Sequence, residues 1–159
     1  MNDPIYRHAV PDDAAECIAL RGRTRENAFT EAQLRALGIT AESWRDRIRE
    51  GRSPGYVCEV NGRMAGYCFG DADSGEIVVL AVLPEYEGAG LGKRLLQDVI
   101  DAFAARGFTT LFLGCSTDPA SRSYGFYRHL GWTSTGQLDD AGDEILTLRI
   151  APRTRDSIA

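Results

Sequence analysis

The sequence predicts one α/β domain: a mixed sheet of about seven strands, its front half antiparallel, with a central parallel crossover and about four flanking helices. Three observations predict it. Asn61-Gly62 separates two strand-like runs, Gly55–Val60 and Met64–Asp71, and supplies the positive φ angles of a tight hairpin turn. Glu76–Val82 is a nearly continuous apolar run, the pattern of a central strand covered on both faces, and it is read as the most buried strand. A glycine-rich loop, an amphipathic helix over Gly90–Arg106 and another apolar strand, Thr110–Cys115, follow it and make the crossover.

The remaining elements fall into order around these. Ile5–Val10 reads as a first strand, and Pro11-Asp12-Asp13 opens a helix with Ala14, Cys17, Ile18 and Arg21 at spacings of three and four, ending near position 25. The pattern loosens over 26–39. A second helix follows Thr40, with Ala41, Trp44 and Ile48 as its apolar stripe and Gly51 as its stop. In the crossover helix Leu91, Leu95, Leu96, Val99, Ile100 and Phe103 share one stripe, and Gly107 suits a left-handed cap. Asp118-Pro119 reads as an N-cap and first turn of a short helix reaching Leu130 and Gly131. Thr133–Gln137 and Glu144–Ile150 read as a final strand pair around 139–142. The domain is read as residues 1–150, with a polar tail over 151–159.

Composition narrows the function. The 159 residues are 43% hydrophobic and 26% charged, close to globular averages, so disorder, collagen-like repeats and coiled coils are disfavoured. No apolar run approaches the ~20 residues of a membrane span and no basic-then-apolar leader is visible, so a soluble, cytoplasmic protein is expected. The net charge of −5 disfavours nucleic acid or anionic lipid as a partner. The four cysteines, Cys17, Cys58, Cys68 and Cys115, form no Cys-x-x-Cys pair and are read as reduced, buried thiols. His8 and His129 share no face that suggests metal ligation, so no metal is expected.

The stretch Leu83 to Lys93, Leu-Pro-Glu-Tyr-Glu-Gly-Ala-Gly-Leu-Gly-Lys, says most about function. Strand, glycine loop, helix is the layout of a phosphate cradle: glycines at 88, 90 and 92 let backbone N–H groups converge on an anion at a helix N-terminus. A Walker A loop is excluded, because Glu87 stands where its first Gly belongs and Arg94 where its Ser or Thr belongs. The Gly-x-Gly-x-Gly spacing also differs from the dinucleotide fingerprint.

Together, the element order and the loop Glu87-Gly88-Ala89-Gly90-Leu91-Gly92 resemble the GCN5-related N-acetyltransferase (GNAT) superfamily, which moves an acetyl group from acetyl-coenzyme A to an amine. The resemblance spans roughly residues 5–150. One loop position departs: Glu87 puts an acid where that family carries Arg or Gln, close to the expected diphosphate. Downstream, Ser123-Tyr124-Gly125-Phe126-Tyr127-Arg128-His129-Leu130-Gly131-Trp132 is similar to the family's closing motif, with Ala120 and Ser121 near the place of a frequent helix-start Asn.

The resemblance implies that acetyl-CoA is the co-substrate. Leu80, Ala81 and Val82 would pair with its pantetheine arm like an added strand, an N–H near Val82 polarising the thioester. Glu87, Gly88, Ala89, Gly90, Leu91, Gly92 and Lys93 would surround the diphosphate, with Lys93 and Arg94 as candidate cations. Tyr127 matches the family's general acid; a phenol of pKa about 10 lies near a thiol of about 8.5, so proton transfer to a departing thiolate is nearly balanced. Tyr124, one turn away, is the alternative donor. Glu76, fourteen residues before Gly90, is the base candidate and would need burial and a relaying water. The acceptor is expected to be a small-molecule or amino-acid-like primary amine met by the front loop over 25–39, where Glu26 and Glu31 are candidate contacts. The alternatives are a peptide or protein N-terminus and a non-catalytic acyl-CoA-binding regulatory module. Similar proteins are commonly dimers, and a homodimer is left open.

Overall fold

The computed structural model describes residues 3–24 and 28–152. Seven strands form one sheet: β1 (Ile5–His8), β2 (Gly55–Val60), β3 (Arg63–Asp71), β4 (Glu76–Val82), β5 (Thr110–Cys115), β6 (Thr133–Leu138) and β7 (Glu144–Arg149). Their spatial order is β1-β2-β3-β4-β5-β7-β6, with β4 and β5 the parallel neighbours and the other pairs antiparallel. Asn61 and Gly62 take φ of 55° and 75°, the tight-turn geometry expected between β2 and β3.

Five α-helices accompany the sheet, one more than anticipated: α1 (Ala14–Arg21), α2 (Glu31–Ala36), α3 (Ala41–Arg49), α4 (Leu91–Ala105) and α5 (Arg122–His129). The extra one, α2, starts at a reciprocal cap in which Thr30 Oγ1 accepts from Gln33 N and Gln33 Oε1 accepts from Thr30 N. The first helix ends at Arg21, earlier than expected. The final helix begins at Arg122, capped by Ser121 rather than Asp118, whose carboxylate instead accepts from Ala120 N in a turn before it. The loop assigned to the acceptor lies partly outside the described residues, Glu26 included. Glu31 opens α2 and pairs with Arg35 on the exposed face.

Two apolar layers sandwich the sheet. On one face α4 packs Leu95, Leu96, Val99 and Phe103 against Cys58, Cys68, Leu111, Leu113 and Leu146. On the other, Cys17 and Leu20 of α1 meet Val57, Tyr67, Phe69, Val79 and Ala81, with Trp44 and Ile48 of α3 closing over them. Trp44 stands edge-on to both Tyr67 and Phe69, at 5.7 and 5.0 Å between centroids. All four cysteines are buried free thiols, in agreement with the sequence reading.

The most buried strand is β3, not β4. Seven consecutive residues of β3, Met64 to Gly70, are buried, whereas β4 alternates and leaves Val78 52% exposed. The reason lies in how β4 meets its neighbours. Against β5 it is in register only at Glu76 and Phe112, and beyond that pair the two strands part. Against β3 it carries a bulge: Val79 faces Phe69 and Ile77 faces Gly70, so Val78 has no opposite residue. The bulge sends Ile77 into the α4-side core while Val79 and Ala81 enter the α1-side core.

Candidate active site

Where β4 and β5 part, a cleft of about 530 Å³ opens through the sheet. One wall is Ile77 to Val82 of β4, and the other is Leu113, Gly114 and Cys115 of β5 followed by Ser116. The glycine loop closes one end, with Tyr86, Glu87, Gly88, Gly90, Leu91, Gly92 and Lys93 in the lining; Ala89, also a candidate, is not among these residues. Phe126 and Tyr127 project from α5, and Arg21, Thr24 and Phe29 come from the α1 side.

The loop does what its glycines suggest, though not with all three alike. Gly88 and Gly90 hold φ of 81° and 85°, a region that side-chain-bearing residues avoid, and a Cβ on either would meet no atom within 4 Å. Gly92 lies inside the first turn of α4, where a Cβ would sit 3.8 Å from Leu80, Val82 and Phe126, an ordinary contact. Gly90 is the N-cap of α4, so no side chain caps the helix and no acid occupies its first turn. The orphan N–H groups of a fifteen-residue helix therefore face the cleft end without a side-chain acceptor at the cap.

Glu87 is accommodated by charge pairing. Its carboxylate, 16% exposed, accepts from Arg122 Nη1 at 3.2 Å, joining the loop to the first residue of α5. Of the two candidate cations, Lys93 lines the cleft and Arg94 does not. Arg94 stacks over the Tyr6 ring at 4.4 Å and bonds Asp98 one turn on.

Tyr127 lines the cleft, standing edge-on to Phe126 and Trp132 at 5.1 and 6.0 Å. Burial, reinforced by the neighbouring Cys68 and Cys115 thiols, pushes its phenol well above the usual value, so it is protonated before reaction but gives its proton to a thiolate less readily than the near-balance expected from the sequence. Tyr124 is turned to other work: the Arg128 guanidinium lies 3.6 Å over its ring and is itself paired with Glu144. Tyr124 is not among the residues lining the cleft.

Glu76 begins β4 at the point where the strands are still paired, half-buried and outside the cleft lining. Burial first, then the charges of Asp71 and Asp139, raise its carboxyl above the ordinary range. A second acid, absent from the sequence reading, stands in the lining itself. Asp143 is half-buried before β7, and burial and the adjacent Asp139 raise it. Gly114 makes room for this turn, since a Cβ there would lie 2.6 Å from Asp139 Oδ2. Among the described residues no group of three or more His, Cys, Asp or Glu could hold a metal ion. Nor is any described helix long and apolar enough to cross a membrane.

Comparison with known proteins gives the same picture. In fold, the chain is similar to PaiA N-acetyltransferase of Thermoplasma acidophilum, solved with coenzyme A, at a TM-score of 0.76 and 17% identity, covering 93% of this chain and 99% of that one. It is similar to YncA of Salmonella typhimurium, a putative acetyltransferase solved with acetyl-CoA, at a TM-score of 0.71 and 21% identity, covering 99% of each. In sequence it is 31% identical over 109 residues to an uncharacterised N-acetyltransferase of Methanocaldococcus jannaschii, over 63% of this chain and 68% of that protein. The model of the acetyltransferase (GNAT) family matches residues 16–132, a span holding the parted strands, the glycine loop and the Tyr127 helix together, and the chain therefore belongs to the GNAT family of N-acetyltransferases.

Proposed function

We propose that the protein transfers an acetyl group from acetyl-CoA to the primary amine of a small-molecule or amino-acid-like acceptor, by direct attack, with Tyr127 as general acid. The observation that carries this reading is the sharing of one cleft by the α4 N-terminus and Tyr127, an anion cradle at one end and a proton donor beside the walls.

The residues fit the co-substrate. Gly88 and Gly90 keep the space before the α4 N-terminus open for the diphosphate, and Leu80–Val82 offer the backbone of a strand that has lost its β5 partner to an extended pantetheine arm. The amine nitrogen forms a bond to the thioester carbonyl carbon as the carbon–sulfur bond breaks. A main-chain N–H of β4 stabilises the oxyanion in between. The acceptor's ammonium first loses one proton to solvent through a base, so that the neutral amine attacks; Tyr127 gives its proton to the departing sulfur, and the second proton, shed by the acylated nitrogen, replaces the one Tyr127 has given up. Glu76 is that base through a relaying water; its raised carboxyl supports the role, because a stronger base takes the proton more readily.

The test is release of free thiol from acetyl-CoA over a panel of amines, amino acids, aminoglycosides and peptides. Turnover with a free amine or amino acid is the expected result. Turnover confined to peptide N-termini moves the acceptor class, and coenzyme binding without turnover on any acceptor replaces the enzyme reading with that of a binding module.

A further inference from the structure

We propose that Asp143 selects the acceptor by pairing with a cationic nitrogen other than the one that reacts, so that the preferred acceptor is a small aliphatic amine with a second basic nitrogen. This rests on the acetyl-transfer reading above. The cleft runs through the sheet, and its two faces carry different groups. Leu111, Leu113 and Cys115 of β5 belong to the core layer under α4, against which Tyr127 also packs. Alternation along the strand then turns Gly114 to the opposite face, the α1 side. There the turn before β7 takes up the room left by the missing Cβ of Gly114: an atom at that position would lie 2.6 Å from Asp139 Oδ2 and 3.3 Å from Asp143 Cβ. Asp143 therefore borders the cleft from the face that Arg21, Thr24 and Phe29 also reach, across the sheet from Tyr127. Of the two acids in the lining, Glu87 belongs to the glycine loop at the coenzyme end and Asp143 to the acceptor side.

The two acids of this turn do different work. Asp139 Oδ1 accepts from Ala141 N and Asp143 N, each at 2.9 Å, and Asp139 N donates to the Asp143 carbonyl at 2.8 Å. Its carboxylate holds the turn together. Asp143 carries its carboxylate to the cleft wall, where burial and the charge of Asp139 both weigh against the ionised form. A cation placed there relieves both penalties.

Proton chemistry decides which nitrogen the acid serves. A carboxylate paired with an ammonium holds the proton on it, whereas the attacking nitrogen must first give its proton up. A charge at Asp143 therefore helps the reaction only when it sits on a nitrogen that does not attack. The β5 wall beside it, Leu113, Gly114, Cys115 and Ser116, carries no charged side chain and suits an aliphatic chain joining the two nitrogens.

The experiment is steady-state turnover of the full chain with acetyl-CoA and three acceptors matched in length: a straight-chain diamine, the amino alcohol in which hydroxyl replaces the second amine, and the plain alkylamine. The wild-type chain is expected to favour the diamine over the amino alcohol about tenfold in kcat/KM, beyond the statistical advantage of two reactive ends. Asp143→Asn is expected to remove that preference by raising the KM for the diamine while its kcat holds. Turnover of the amino alcohol and the KM for acetyl-CoA stay unchanged, which also reports that the variant is folded. Asp143→Glu, which keeps the charge, retains part of the preference. Equal use of diamine and amino alcohol by the wild-type chain overturns the inference, as does a preference that survives Asp143→Asn or a loss that falls on all three acceptors alike. In those cases acetyl transfer to amines still stands; if the wild-type chain acetylates no amine at all, the acetyl-transfer reading itself fails.

Discussion

Strands β3 and β4 are neighbours and opposite in fate, although β4 is the more apolar in sequence. β3 is bonded on both sides and packed on both faces, so that Tyr67 is fully buried with its hydroxyl donating to the Cys17 carbonyl at 3.1 Å. β4 is bonded along β3 but leaves β5 after one residue pair, and its bulge exposes Val78. The difference teaches that apolar side chains in this sheet serve two ends. In β3 they supply the hydrophobic stabilisation of the fold; in β4 part of that surface is withheld from the core to wall the cleft.

Four substitutions would break or sharpen this contrast. Phe69→Ala on β3 removes a ring that packs against Trp44 and Tyr67, and is expected to cost about 3–5 kcal/mol in denaturant unfolding. A much smaller loss would mean that β3 is no stiffer than its neighbour. Tyr127→Phe, across the cleft from β4, is expected to lower kcat about a hundredfold while the coenzyme Kd and the thermal midpoint stay put. Undiminished turnover would remove Tyr127 from the chemistry.

Glu76→Gln probes the point where β4 leaves its partner. The rate should rise with pH through the raised Glu76 carboxyl, and the Gln variant should flatten this acid limb and lower turnover several-fold. Stability moves the other way. The folded state holds the Glu76 proton more tightly than the unfolded chain, so its contribution is present below the ordinary carboxylate pKa and lost as pH rises through the raised one. At neutral pH Glu76→Gln should therefore melt no lower than wild type; a lower melt would give Glu76 a structural role. Val78→Ala is the smallest effect, within about 0.5 kcal/mol, as for an exposed position. A loss on the scale of Phe69→Ala would erase the contrast.

Much of this was readable from local chemistry. The hairpin turn at Asn61-Gly62, the Thr40 cap, the α4 stripe and the glycine loop are set by residues close in sequence, and each stands where it was expected. The α2 helix also announced itself, in Thr30 and Gln33 at capping-box spacing, a signal obscured by the weak apolar pattern around it. Other features depend on distance. An apolar run such as Ile77–Val82 reads the same whether its open face meets a helix or a ligand, so the sequence alone does not distinguish the alternating burial of β4 from that of a fully covered strand. The insertion of β7 between β5 and β6 follows from packing, not from chain order. Glu87 reads as a defect in the sequence because Arg122, which pairs with it, lies thirty-five residues away at the start of α5. Asp143 enters the lining through a turn whose approach depends on the missing side chain of Gly114.

The parting of β4 from β5 has one more consequence. It creates two raw edges in the middle of a sheet, rows of backbone donors and acceptors of the kind that draw other chains into aggregates when they lie on a protein's rim. Here they lie within a crevice flanked by α5 and the loop before α4. A thin, extended molecule can reach them, while a strand from another protein, which would bring its own side chains and neighbours, is kept away.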